Sequence, residues 1–395
     1  MTAAADRRYD LDWLRILAFA VLILFHVGLF YAGWDWHVKS PRASGALDAT
    51  LLLTSPWRLG LLFFVSGCAC RFMLDRSDPW TFAWDRTWRL LPPLIFAAFL
   101  IMPPQSYFEL IQDGQVVAPG LIDYGWRWLA GLFGLPCDGP CLPVPTWNNM
   151  WFVAYVLAYA LALAALVRAR GPLTGLSERI ERLSPVMLLI LPWLTLSLFR
   201  LALFPWAHRP HVLLADWYEH AVWFSLFVGG YLIAKSEVVA ERLAHLRWIA
   251  LSLAVAAYLL NLFYIWAWHG RGEPSPLWAY FGMRFVFAAE QWFWVAAALG
   301  FARRYLSFDH PIRRYMTVAI FPFYIVHQTI IIMVAPSLAG LWLPLWLEAA
   351  LLIAATFGGS WIIYEIVRRI SWLRRVFGLK SQPTLRSAKR PPAAA

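Results

Sequence analysis

The sequence predicts an all-α polytopic membrane bundle of about ten transmembrane helices, with both termini cytoplasmic. Three observations carry this. Of 395 residues, 61% are hydrophobic and 14% charged, against roughly 25% charged in an ordinary soluble domain. Apolar runs of about 20 residues, the length that crosses a bilayer, recur from one end to the other. The basic residues fall into alternate connections between those runs. A soluble enzyme, a fibrous protein and a disulfide framework are thereby excluded. With 25 Trp, 27 Phe and 15 Tyr the chain is too aromatic to be disordered.

In order, the spans are placed at 11–31, 55–74, 90–106, 150–167, 185–204, 217–234, 248–268, 277–301, 318–335 and 345–367. The first is too long for a cleaved signal peptide, and no small-x-small site follows it. It carries Arg15 and His26; the second carries Arg58, the fifth Arg200, the eighth Arg284 and Glu290, and the ninth His327. With the N-terminus inside, the inside segments hold 25 Lys and Arg, and the outside segments hold only Lys39, Arg42, Arg127, Arg209 and Arg271. Cytoplasmic segments carry the positive excess, so both termini are expected inside, in the cell inner membrane. The net charge of +11 then reports topology, and no nucleic-acid partner is expected. Residues 1–370 form the membrane domain on this reading. Residues 371–395 form a basic, Pro- and Ala-rich tail that is expected to be disordered and to meet anionic lipid.

Two pairs of cysteines occur. Cys68 and Cys70 read as packed thiols in the second span. Cys137 and Cys141 lie in the longest outside loop, where a disulfide is possible in an oxidising compartment. No His lies near them, and no metal site is expected. Trp34, Trp36, Trp80, Trp84, Trp126, Trp128, Trp206, Trp217, Trp266, Trp268, Trp342 and Trp346 lie near span ends and read as interfacial belts.

Ionisable side chains within spans are costly and default to functional candidates. Eleven residues separate Arg15 from His26. At about 100° per residue they share one helix face, about 16 Å apart along the axis. Asp12, three residues before Arg15, is placed to pair with it. Arg58, Arg200 and Arg284 collect with His26 towards the outer leaflet; facing a protein interior and snorkelling to the interface both fit. Glu290 is the obvious buried acid among them, with Glu348 shallower. The resulting excess of guanidinium points to an anionic ligand, and Arg284, the deepest, is expected to hold its carboxylate, with Arg200 or Arg58 assisting. Arg86 and Arg89, three apart just inside the membrane, suit phosphate oxyanions bidentately. They suit topology and lipid headgroups equally well.

Several stretches resemble the motifs of acyltransferase family three, the integral-membrane O-acyltransferases. They are Asp12-x-x-Arg15 with His26 following, Phe63-Phe-Val-Ser-Gly67, Arg86-x-x-Arg89 before Pro92, and Phe323-Tyr-Ile-Val-His327. Arg8-Tyr-Asp-Leu-Asp-Trp-Leu-Arg15, Trp36-His-Val-Lys39 and Trp151-Phe-Val further resemble the branch of succinyl transferases that act on periplasmic glucans. One position departs: Asn149 stands where related proteins often have His, so it is expected to hydrogen-bond a substrate and not to catalyse. The resemblance implies transfer of a succinyl or acetyl group from cytoplasmic acyl-CoA, as co-substrate and not as a resident cofactor, to a hydroxyl of an outside glycan. It implies Arg86 and Arg89 as holders of the CoA phosphates. His26 becomes the base or acyl carrier, its reference pKa near 6.5 suiting proton abstraction at neutral pH. Arg15 and Asp12 support it, and His327 and Tyr324 become substrate-side candidates. The competing reading is a multi-pass transporter of an anionic small molecule or glycan, which shares the buried charges.

Overall fold

The computed structural model describes residues 7–114, 120–132, 147–169, 173, 175–207 and 212–380. Cys137, Cys141 and Arg209 lie outside the described residues. The described chain is helical, with α1 (Tyr9–Tyr31), α2 (Asp48–Thr54), α3 (Arg58–Leu74), α4 (Pro79–Phe96), α5 (Met102–Gln112), α6 (Leu121–Leu132), α7 (Trp151–Arg168) and α8 (Leu176–Arg182) in its first half. There follow α9 (Pro185–Ala202), α10 (Phe204–Ala207), α11 (Trp217–Ile233), α12 (Glu237–Ala267), α13 (Leu277–Tyr305), α14 (Pro311–Ala339), α15 (Leu345–Val367) and α16 (Ser371–Val376).

Among the described residues nine helical segments are long and apolar enough to cross a membrane. The tenth expected span, α11, is a helix of 17 residues. The helix starts are written locally. Asp78 caps Trp80 and Thr81 ahead of Pro79, and Ser184 caps Met187 ahead of Pro185. Asp216 caps Glu219 and Ser236 caps Val239. An Asx or Ser acceptor followed by Pro at the first helical position satisfies orphan N–H groups and presets φ.

Several predicted boundaries move. The third span, placed at 90–106, is part of a 34-residue run, Pro79–Gln112. Its joint is a π-helical turn, Ala97–Ile101, set between Pro92-Pro93 and Pro103-Pro104, where the missing N–H groups interrupt the i→i−4 ladder. The seventh span begins at Glu237, and the ninth begins at Pro311, so charged first turns are helical as well. Residues 371–376, assigned to the tail, form α16, which packs on α4; residues 381–395 lie outside the described part.

The inside of the bundle is built around α13 and α14, the most enclosed spans, while α9 and α12 are peripheral. Helix α1 packs on α14, α3 and α13. It runs parallel to α14, since Arg15 meets Thr317 and, eleven residues on, His26 meets His327. Helices α3 and α11 touch backbone to backbone: a Cβ on Gly67 would stand 1.8 Å from the Phe227 carbonyl oxygen, and one on Gly230 would stand 2.0 Å from that of Phe64. Small residues that admit such approach are what helix association in lipid relies on. The Gly of the Phe63–Gly67 stretch is therefore a packing residue.

Candidate active site

Two histidines meet in the bundle. His26 Nδ1 lies 2.9 Å from His327 Nε2, with ring centroids 5.1 Å apart and planes 27° from parallel. His327 is fully buried and its Nδ1 lies 2.7 Å from the Tyr324 carbonyl oxygen. A carbonyl only accepts, so His327 carries its proton on Nδ1 and accepts on Nε2. His26 must then donate from Nδ1, which leaves its Nε2 lone pair free. The indole of Trp36 runs nearly parallel to the His26 ring, 13° off with centroids 6.3 Å apart. Trp36, read from sequence as part of an interfacial belt, thus also neighbours the imidazole. Its loop is fastened to the end of α1 by Lys39, which donates to the carbonyls of Leu29, Ala32 and Trp34. His37 ties the same loop to Glu109 of α5 at 2.7 Å.

Behind His327 stands a set of buried amides. Asn149 donates through Nδ2 to the Tyr324 carbonyl at 3.1 Å, the oxygen that also takes the His327 proton. The Tyr324 hydroxyl donates to the Asn149 carbonyl. Gln105 donates to Asn149 at 3.3 Å and to Thr329 at 2.7 Å, and accepts from Asn148 and Gln328. Asn149 and Tyr324, predicted on the substrate side, thus hold the histidine pair in place. Gln105, Asn148, Gln328 and Thr329 went unremarked in the sequence because they carry no charge. Uncharged polar side chains inside the apolar spans 90–106 and 318–335 were the signal that could have found Gln105, Gln328 and Thr329; Asn148 lies just before the span placed at 150–167.

At the end of α1 that bears its N-terminus, Arg15, Arg86 and Arg89 lie close enough for their charges to act on one another. Arg15 donates to the Thr317 carbonyl at 2.8 Å, and Arg86 to Cys70 Sγ at 3.2 Å. The Nε of each is buried without a partner, and Arg89 is exposed. Among the described residues no carboxylate pairs with any of the three. The expected Asp12–Arg15 pair does not form. Asp12 is held by Arg313 and, at 3.0 Å, by Arg7; its charge still acts on Arg15, without a hydrogen bond or salt bridge among the described residues. Arg313, 1% exposed, also binds Asp309 at 2.5 Å. Asp309, in the connection before α14, lies well below the usual carboxylate range because Arg314 and Arg313 donate to it. Sequence reading passed over Arg313 because its neighbours placed it in an inside loop.

The three arginines expected towards the outer leaflet separate. Arg58, 6% exposed, lays its guanidinium on the Phe25 ring at 3.3 Å from the centroid. Its Nε and Nη1 are buried without partners. Arg200 and Arg284 instead share the ring of Phe204, at 4.5 and 4.6 Å. Arg200 donates to the Tyr218 hydroxyl at 2.7 Å, and Arg284 to that of Tyr280. Among the described residues neither has a hydrogen bond or ion pair to the histidine pair. Glu290 does not pair with Arg284; it accepts from Asn261 at 2.9 Å. Glu348 pairs with Arg42. Position along the spans predicts one level for all three arginines, but depth does not fix the side of the bundle, and among the described residues Arg200 and Arg284 meet aromatic faces and tyrosine hydroxyls and form no salt bridge.

The arrangement can hold an anion at one end of α1 and deprotonate a hydroxyl near the other. The family profile described as an acyltransferase domain matches residues 8–365. Over 403 residues the chain is 24% identical to glucans biosynthesis protein C of Escherichia coli strain K12 and of strain SE11, covering 95% of this chain and 95% of each relative. No solved structure matches. A profile that spans nearly the whole chain, over a multi-span helical bundle with an imidazole pair at its centre, places this protein in the acyltransferase family as a membrane acyltransferase.

Proposed function

We propose that the protein moves an acyl group, succinyl or acetyl, from cytoplasmic acyl-CoA to a hydroxyl of a periplasmic glucan, with the bundle in the inner membrane and both termini cytoplasmic. The observation that carries this is the His26–His327 pair, whose hydrogen bonds leave His26 Nε2 as a free base. Arg15, Arg86 and Arg89, which no described carboxylate meets by hydrogen bond or salt bridge, supply an oxyanion site towards the N-terminal end of α1, where Arg15 lies about 16 Å of helical rise before His26. The name of the relatives supports a glucan acceptor, and the Lys and Arg bias between connections supports the orientation.

On this reading Arg86 and Arg89, with Arg15 above them, hold the CoA phosphates, and the acyl arm runs along α1. His26 Nε2 takes the proton of the acceptor hydroxyl as its oxygen attacks the thioester carbonyl carbon. His327 Nε2 keeps accepting from His26 Nδ1 as the ring becomes imidazolium. The tetrahedral intermediate collapses to the ester, and the departing CoA sulfur takes the proton back from His26. A neutral imidazole partner suits a site sheltered from water, where a buried carboxylate would be costly.

The test is purified protein in proteoliposomes with radiolabelled acyl-CoA inside and a glucan extract outside, followed by mass spectrometry of the sugars. Label esterified to glucan supports the reading. Passage of label into the opposite compartment without a covalent product would replace it with transport.

A further inference from the structure

We propose that Arg58 stabilises the negative charge that develops on the acyl carbonyl oxygen during transfer. This rests on the reading of His26 as the base. An acyl-transfer site needs N–H donors aimed at the developing oxyanion, and soluble enzymes often take them from backbone amides. In a membrane span those amides are consumed by the i→i−4 ladder. The donor must therefore come from a side chain, and a cation is the strongest choice.

Arg58 meets the requirement. It is 6% exposed, and among the described residues the buried Nε and Nη1 of its guanidinium have no hydrogen-bond partner. The face of the group is covered by Phe25 at 3.3 Å, so an acceptor for these N–H groups must approach in the guanidinium plane. Phe25 is the chain neighbour of His26, and their ring centroids are 5.9 Å apart. Laid end to end, those two distances put the Arg58 guanidinium carbon no more than 9.2 Å from the His26 ring centre. A reacting carbon lies about 3 Å from both its nucleophile and its oxyanion donors, so the two groups are near enough to act on one thioester carbonyl. Arg200 and Arg284 are already bonded to Tyr218 and Tyr280.

The electron flow is closed. The hydroxyl proton passes to His26 Nε2, the hydroxyl oxygen bonds to the carbonyl carbon, and the carbonyl π pair moves to its oxygen, opposite Arg58. The pair returns, the C–S bond breaks, and the thiolate takes the proton from His26.

Arg58→Gln and Arg58→Lys test this in purified protein that keeps the wild-type melting temperature. Succinyl-CoA and acetyl-CoA serve as donors, and a non-transferable thioether analogue of each serves for equilibrium binding. The expected result for Arg58→Gln is a fall in kcat of about 10²–10³-fold with both donors and analogue affinity within threefold of wild type. Arg58→Lys, which keeps the charge and the bulk, should recover part of kcat. Unchanged kcat in Arg58→Gln would overturn the assignment. Loss confined to succinyl-CoA would make Arg58 a reader of the distal carboxylate instead, and weakened analogue binding with normal kcat would make it a donor anchor. Absence of transfer in wild-type protein would overturn the acyl-transfer reading, and this assignment with it.

Discussion

The Nδ1 of His26 and the Nε2 of His327 stand 2.9 Å apart, and the direction of the hydrogen bond between them is set by a third atom, the Tyr324 carbonyl oxygen. Because that oxygen only accepts, each ring is held in one tautomer, and the lone pair left over belongs to His26.

His26→Ala should abolish transfer while leaving expression, membrane insertion and thermal stability near wild type. Loss of a positioned base costs typically 10²–10⁴-fold. Turnover within tenfold of wild type in a well-folded variant would end the proposed mechanism.

His327 should act through His26. His327→Ala leaves the His26 Nδ1 proton without its acceptor and frees the ring to rotate. The expected outcome is a fall in kcat of at least about tenfold, with KM for acyl-CoA little changed. Asn149→Ala, which removes a second donor to Tyr324, should give a smaller fall of the same kind. A rise in KM with constant kcat in either variant would place the residue on the substrate instead.

Arg86→Ala and Arg89→Ala should weaken acyl-CoA binding by roughly ten- to a hundredfold each, since a charged hydrogen bond is worth about 1.5–3 kcal/mol. Lys at either position should restore only part, because the fork geometry is lost. Normal acyl-CoA binding by both Ala variants, measured by calorimetry, would rule out the phosphate assignment.

Arg313→Ala should be a folding defect and not a catalytic one. Removing one partner of a buried ion pair typically costs about 3–5 kcal/mol; with Asp12 19% exposed, the lower end is expected, read as a reduced Tm in detergent. Residual kcat per folded molecule should stay near wild type.

The same cluster gives a pH dependence with a definite sign. Arg314 and Arg313 hold Asp309 below the carboxylate reference, near 3.9 in an unfolded chain. Its stabilising contribution is therefore present above about pH 4 and lost as pH falls towards the folded value. Tm should decline below pH 4 in wild type and decline less in Asp309→Asn; parallel curves would show that other carboxylates dominate.

Spans, and the shared face of Arg15 and His26, were legible in the chain because hydropathy and helical phase are local properties. The pairing of Asp12 was not. Arg15 sits three residues away and is the obvious partner by helix spacing, but it is the distant Arg313, brought alongside by the parallel run of α1 and α14, that takes the carboxylate. Position along a span is a local property for Arg58, Arg200 and Arg284, yet azimuth depends on which helices neighbour which. That separates Arg58, beside His26, from the other two. The amides around Gln105 escaped for a different reason: hydropathy weighs an uncharged side chain lightly, although a buried amide demands partners as firmly as a charge does.

Helices α1 and α14 are joined at successive levels, by Arg15 to the Thr317 carbonyl, by Phe19 against Tyr324 at 5.3 Å, and by His26 to His327. Such rungs prevent the two helices from sliding past one another. On the proposed reading this turns the bundle into a ruler. Arg15 and His26 are held a constant length apart along α1, about 16 Å by helical rise, so a donor anchored at Arg15 is selected by the reach of its arm before its acyl group is sampled. A series of thioesters with progressively shorter arms should then show a threshold in kcat and not a gradual decline.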